Sequence, residues 1–278
     1  MKVYSSILFA TFLAMMCLEA NAQEQSLGYN PNSVYPIPEH HQMYKRTLWR
    51  RMDLKEKQNA PFFSTSNEIT RLIIDAVDNG VLYAYETDSI DKRMSKEKFF
   101  ENLLLPSEEA DEFGTDQAFQ EDTWGSSGWG TESASADAGG KYYDASQLTI
   151  IRIKEDMIFD KVRSRLYYDI QSIELLIPAD QTATGLEKTV GVFRYKDLEM
   201  LFRSMPDRAI WYNRLNTASH LNMADAFLLR MFSARLVKVS NPRNDMIQDI
   251  YTDPRAALIK SQQMDHQLVE FEHNLWEY

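Results

Sequence analysis

Apolar residues recur at a regular interval near the start of the chain. Tyr44, Leu48 and Met52 are each four residues apart. Apolar residues at this spacing share one face of an α-helix. The pattern therefore predicts an amphipathic helix over residues 39–57, which ends before Pro61 because proline disfavours helix at the residue that precedes it.

Start and stop signals predict four further helices. Thr65 followed by Glu68 has the spacing of a capping box, and we expect the helix that follows to end at Gly80. Ser95 can cap a second helix, which reaches residue 106. Residues 196–205 have the pattern of a third helix, and Asn222 can cap a fourth that runs through residue 232.

The C-terminal end of the chain predicts one long helix. Asp253 supplies a capping side chain, and Pro254 suits the first helical position, so the helix begins there and runs to about Trp276. Its apolar residues are spaced four, three and four apart, which leaves one packed stripe and a solvated remainder. These residues are Met264, Leu268, Phe271 and Leu275.

Extended segments dominate the second half of the chain. Alternation and β-branched content predict strands at residues 81–85, 148–153, 165–177, 190–195, 209–212 and 235–239. Within residues 165–177 the apolar residues occupy alternate positions, and this alternation shifts by one residue near Gln171 and Ser172. Such a shift predicts a β-bulge. The expected fold class is α+β, with a mostly antiparallel sheet, flanking helices and a long C-terminal helix.

The predicted elements divide the chain into five parts. We expect a signal peptide, an extended proline-containing arm with the basic helix, a helical subdomain, an acidic insert, and an α+β region that ends in the long helix. Their boundaries are residues 1–22, 23–62, 63–106, 107–140 and 141–278.

The first residues have the pattern of a secretory signal. Lys2 is followed by an apolar run at residues 7–18 and by a small-x-small site that ends at Ala22. Cys17, the only cysteine, lies in this run, so the exported chain has no disulfide and no thiol nucleophile. Export also removes nucleic acid as a partner.

Charge is concentrated in one segment. The net charge is −11, and residues 107–140 contain nine carboxylates and no Lys or Arg. This segment predicts disorder because it has too little apolar surface to offset the cost of ordering. Trp124 and Trp129 within it are compatible with a spacer or with transient docking. The rest of the chain is close to neutral, so its basic block is a local feature.

The basic block favours binding over catalysis. Its Lys and Arg side chains flank Trp49, and Trp, Tyr and Arg dominate protein contacts. A helix that covers its own core or lies on an anionic membrane is an alternative, although Asp53 and Glu56 weaken the attraction to a membrane. The candidate partner-binding residues are Tyr35, Tyr44, Arg46, Leu48, Trp49, Arg50 and Arg51.

One constellation could hold a metal. His266, Glu270 and His273 are spaced four and three apart, which places them on one face of the terminal helix. That face lies opposite the apolar stripe, so we favour the interpretation that it is solvated. The alternative is that the chain is an exported metal-binding protein or a metal-dependent enzyme that uses this face. The chain has no Gly-x-Ser-x-Gly, phosphate loop or His-Glu-x-x-His, so we predict no cofactor and no enzyme activity.

Four segments carry a resemblance to a known family. They are TLWRRMDLKEKQNAPFF at 47–63, IKEDMIFDKVRSRLYYDIQSI at 153–173, KVSNP at 238–242 and HNLWEY at 273–278. In this order the chain resembles the GldN/PorN family of gliding motility and type IX secretion. The resemblance implies a non-enzymatic, periplasmic structural subunit that associates with itself in a ring under the outer membrane.

The resemblance also implies partners. It implies peripheral association with the outer membrane through a lipoprotein of the GldK/PorK type, and contact with an inner-membrane motor subunit of the GldM/PorM type. We expect the arm and the basic block to contact the lipoprotein, because an arm that orders on binding can cover a large area.

Overall fold

The computed structural model describes residues 28–105, 142–182 and 184–275. The predicted signal peptide and the acidic insert, with Trp124 and Trp129, lie outside the described residues.

A five-stranded antiparallel sheet forms the centre of the protein. Its strand order is β6-β5-β4-β1-β9, and its strands are β1 (Gln42–Asp53), β4 (Ile150–Asp160), β5 (Arg165–Ile177), β6 (Lys188–Arg194) and β9 (Arg235–Val239). Two small hairpins pair β2 (Phe63–Ser64) with β3 (Asn67–Glu68), and β7 (Ile210–Trp211) with β8 (Leu221–Asn222).

Helices accompany the sheet. They are α1 (Ile69–Asp78), α2 (Lys96–Asn102), α3 (Tyr195–Ser204), α4 (Met223–Leu228), α5 (Ile247–Ile250) and the long α6 (Pro254–Leu275). The predicted α+β class, the antiparallel sheet and the long C-terminal helix are confirmed.

Both apolar clusters lie on one face of the sheet. Met52 pairs with Ile151, and Leu48 pairs with Glu155, so these side chains point the same way. The larger cluster joins Met52 and Ile151 to α1, α2, α3 and α4, and the smaller one joins Leu48 to α5 and α6. Residues of the segment 63–106 thus share the core of the sheet. The opposite face of the sheet is mostly polar.

The basic block is a strand, and the predicted helix over residues 39–57 is wrong. A short 3-10 helix spans Glu39–His41, and β1 follows it. Apolar residues four apart also share one face of a strand, since a strand repeats every two residues. Arg46 and Arg50 occupy the intervening positions on that face, so charged residues concealed the alternation.

Several local signals are confirmed. Asn222 Oδ1 accepts the N–H of Ala224 at 2.9 Å, and Ser95 Oγ accepts the N–H of Lys98 at 3.3 Å. Gln171 is skipped in the register between β4 and β5, which is the predicted bulge. The long helix begins at Pro254.

Three local predictions differ from the structure. Thr65 does not cap α1, because it lies in the turn between β2 and β3, and the helix begins at Ile69. Residues 81–85 do not form a strand, and Tyr85 makes two isolated bridges, to Arg93 and to Val192. Helix α4 ends at Leu228 because Arg230 takes a left-handed conformation with φ 53°.

Candidate interaction surface

Trp49 lies on the polar face of the sheet, opposite the helices. Its Nε1–H donates to Asp88 Oδ2 at 2.8 Å. The ammonium groups of Lys238 and Lys154 are 4.1 and 5.6 Å from the centre of its ring, which are cation–π distances. Strand β1 thus directs Trp49 away from the core and into a cluster of charged side chains.

Arg50 and Glu155 form a buried ion pair between the two apolar clusters. Glu155 is fully buried, and it accepts from Arg50 Nε at 2.7 Å and from a terminal nitrogen of Arg230 at 2.6 Å. Arg50 also contacts Asp265 of α6 at 2.9 Å. Burial lowers the pKa of Arg50, but the two carboxylates outweigh burial and the pKa is raised.

Three other candidate residues contact their own chain. Leu48 is fully buried in the smaller cluster. Arg51 pairs with Glu187 at 2.7 Å, and the ring of Tyr44 lies 4.6 Å from that of Phe271 on α6. The Arg51–Glu187 pair holds the segment before β6 against β1, and the Tyr44–Phe271 contact holds α6 against β1. A partner-binding role for these residues stays a prediction.

Tyr35 is an exposed residue of the N-terminal arm. Its exposed fraction is 61%, although the arm around it is attached to the protein. Asn30 donates to Gln171 of the β5 bulge at 2.6 Å, and Ile37 is buried. The arm is therefore held against the protein on both sides of Tyr35, while Tyr35 itself is exposed.

A small pocket beside Tyr35 contains a perturbed acid. Tyr35, Tyr168, Asp169 and Tyr195 are among its lining residues. Burial raises the pKa of Asp169 to about 6, and a hydrogen bond from Gln171 Nε2 at 2.7 Å only partly opposes this. Asp169 therefore changes charge near neutral pH.

Arg46 borders a groove that sequence reasoning did not identify as a site. The groove has a volume of about 360 Å³ and is lined by the Ser240–Arg243 segment together with Val239, Ile250 and Met264. Ile250 is 55% exposed. The sequence marks this groove through the KVSNP segment at 238–242, which carries part of the resemblance described above and supplies groove residues.

The N-terminal half of β1 has an open edge. Strand β9 pairs with β1 only from Leu48 to Arg51. The N–H of Leu54 bonds to Thr149 on the β4 side, whereas the carbonyl of Thr47 accepts from Ser240 on the β9 side. Backbone groups alternate between neighbours in an antiparallel sheet, so Lys45 directs its N–H and C=O past the end of β9. Within the described ranges no strand covers this edge.

The candidate metal face is exposed. The distance from His266 Nε2 to Glu270 Oε1 is 3.6 Å, and the side chains are 76% and 64% exposed. Among the described residues, no group of three or more His, Cys, Asp or Glu is placed to hold a metal ion. The same part of the chain contains no helix that is both long and apolar enough to cross a membrane.

Comparison with known families bears on this surface. The sequence model of the family described as "Gliding motility associated protein GldN" matches residues 37–277. The chain belongs to the GldN family. The match includes β1, the groove segment and α6, so the open edge lies within the part that the GldN family shares. A search of the curated proteins found no match. The protein is thus associated with gliding motility.

Proposed function

We propose that this GldN-family protein is a non-enzymatic, periplasmic structural subunit of gliding motility and type IX secretion. In this proposal it associates with an outer-membrane lipoprotein of the GldK/PorK type in a ring under the outer membrane. The ring also contacts an inner-membrane motor subunit of the GldM/PorM type. The family match over residues 37–277 is the observation that carries the proposal.

The open edge of β1 supports a binding role. An unpaired edge can accept a strand from another chain, and main-chain hydrogen bonds then supply affinity. Met43 beside it is 56% exposed, and the Lys45 side chain is 43% exposed. We propose that the lipoprotein adds an extended segment along residues 43–46, with Arg46 and the neighbouring groove receiving its side chains.

Co-purification of the exported protein with the lipoprotein tests this interface. Lys45→Pro removes the outward N–H and should abolish or strongly weaken the complex. Lys45→Ala is the matched control, because it loses the same 3.0 Å ion pair with Asp156 but keeps the N–H. We expect Lys45→Ala to retain the complex.

Two results would contradict the proposal. Failure of the wild-type protein to form a stable complex with any outer-membrane lipoprotein at native levels would refute the assembly role. Equal binding by Lys45→Pro and Lys45→Ala would refute strand addition at this edge while leaving assembly through another surface intact. Circular dichroism of both variants verifies that each is folded.

A further inference from the structure

A pocket opens on the polar face of the sheet, on the opposite side from the groove beside Arg46. It has a volume of about 250 Å³. Strands β1, β4, β5, β6 and β9 and the loop after α1 contribute its walls. The charged residues among its lining are Glu86, Asp88, Arg152, Glu174 and Lys238.

Each lining carboxylate already has a cationic partner. Glu86 pairs with Lys92 at 2.7 Å and with Lys98 at 2.6 Å. Asp88 accepts from Trp49 and lies 3.4 Å from Lys154. Glu174 pairs with Arg152 at 3.1 Å and accepts the hydroxyl of Thr189. The carboxylates of the pocket therefore leave no negative charge that needs a cation.

Lys238 is a cation of the pocket without such a partner. Only 7% of this residue is exposed, and its ammonium lies over the Trp49 ring. Within the described part of the chain, its ammonium has no carboxylate within 4.0 Å and no hydrogen-bond acceptor in range. Burial lowers the pKa of Lys238; the negative charge of Asp88 opposes this shift, and the positive charges of Lys154 and Arg152 add to it. A largely buried lysine without an ion-pair partner is costly.

A second donor in the same pocket is also unsatisfied. The Nε of Arg152 is buried, and no described group accepts its hydrogen. Buried polar groups usually have a partner, and an unsatisfied one indicates an ordered water, an ion or a ligand. Two cationic residues, each with a donor group that lacks an acceptor among the described residues, thus line one cavity.

We propose that this pocket binds a small oxyanion, of the carboxylate or phosphate class, between Lys238 and Arg152. The lining also contains Val192, Val237 and Met246, which suits the short aliphatic body of an organic acid. The volume equals that of about eight waters at roughly 30 Å³ each, so the site takes a small anion. This inference does not depend on the proposed assembly role.

Calorimetric and thermal-unfolding titrations of the purified protein with succinate and with inorganic phosphate test the site. Sodium chloride keeps the ionic strength constant, since phosphate also stabilises proteins non-specifically. We expect saturable binding of at least one anion and a rise in Tm that grows with its concentration. A response to succinate alone identifies a carboxylate site, and a response to phosphate alone a phosphate site.

Variants at Lys238 link binding to the pocket. Lys238→Met should weaken binding by about 10-fold or more, as expected for loss of a charge-assisted hydrogen bond. Its Tm without anion should equal or exceed that of the wild type, because the unpaired buried charge is gone. Lys161→Met makes the same change of charge at an exposed position and should bind as the wild type does.

Each result of the binding titrations either supports or refutes the proposed anion site. Binding lost in Lys238→Met and retained in Lys161→Met supports the site. Absence of saturable binding to the wild type with both anions overturns the proposal, and this holds even if Lys238→Met fails to fold. Equal binding by wild type and a folded Lys238→Met also overturns it.

Discussion

Glu155 provides the sharpest test of how the core is organised. Its carboxylate is fully buried between the two apolar clusters and is held by Arg50 and Arg230. Glu155→Gln keeps the shape but removes the negative charge. The variant therefore leaves the Arg50 guanidinium, whose side chain is only 12% exposed, without its main counter-charge.

The expected loss follows from the remaining contacts. Breaking a buried ion pair by removing one partner costs about 3–5 kcal/mol. Asp265 still faces Arg50, and the Arg230 side chain is 31% exposed and can regain water. These two features favour the lower end of that energy range, so we expect the free energy of unfolding to fall by about 3 kcal/mol.

Urea unfolding followed by circular dichroism measures this loss. Asp78→Asn is the control, because its 2.8 Å pair with Lys96 is exposed, with side chains 61% and 51% accessible. We expect the control to change stability by less than about 1 kcal/mol. A loss below about 1 kcal/mol for Glu155→Gln would show that the pair is not a buried electrostatic element of the core.

Three further predictions concern the pocket acid, the core and the exposed helix face. Folding raises the pKa of Asp169 to about 6, above its unfolded value of about 3.9, so stability should fall as pH rises through this window. Asp169→Asn should flatten that decline and raise Tm at pH 7, and an unchanged pH profile would contradict the assignment. Gly191→Ala should destabilise by about 1–3 kcal/mol, because a Cβ there meets the buried Phe99 ring at 3.1 Å; an unchanged Tm would show that the ring can move. Elemental analysis should find no stoichiometric metal, and tight zinc binding that is lost in His266→Ala/His273→Ala would revive the metal alternative.

Local signals in the sequence predicted much of the second half of the fold. The Asn222 cap, the bulge at Gln171 and the Asp253-Pro254 start depend on neighbouring residues, and each is present. Strand β9 spans the predicted residues 235–239. Such features require no knowledge of distant contacts.

Long-range partners explain what could not be predicted. The strand predicted at 148–153 in fact reaches Asp160, because the charge of Glu155 is matched by Arg50 and Arg230, which are 105 and 75 residues away. The same pairing placed Arg50 on the inward face of β1. Since a spacing of four fits both a helix and a strand, only this non-local pairing distinguishes them.

The candidate site was located only in part. The sequence indicated that the basic block was important, and β1 carries both the open edge and Trp49. It did not show that Leu48 is buried or that Lys238 lines a pocket together with Trp49. Both facts depend on the register between β1 and β9, which contains a shift between Trp49 and Arg50.

Electron microscopy of the protein purified with its outer-membrane lipoprotein tests the central claim most directly. The assembly proposal predicts closed rings that contain both proteins, and it predicts their loss with Lys45→Pro but not with Lys45→Ala. Wild-type preparations that contain only separate monomers under native conditions would contradict it.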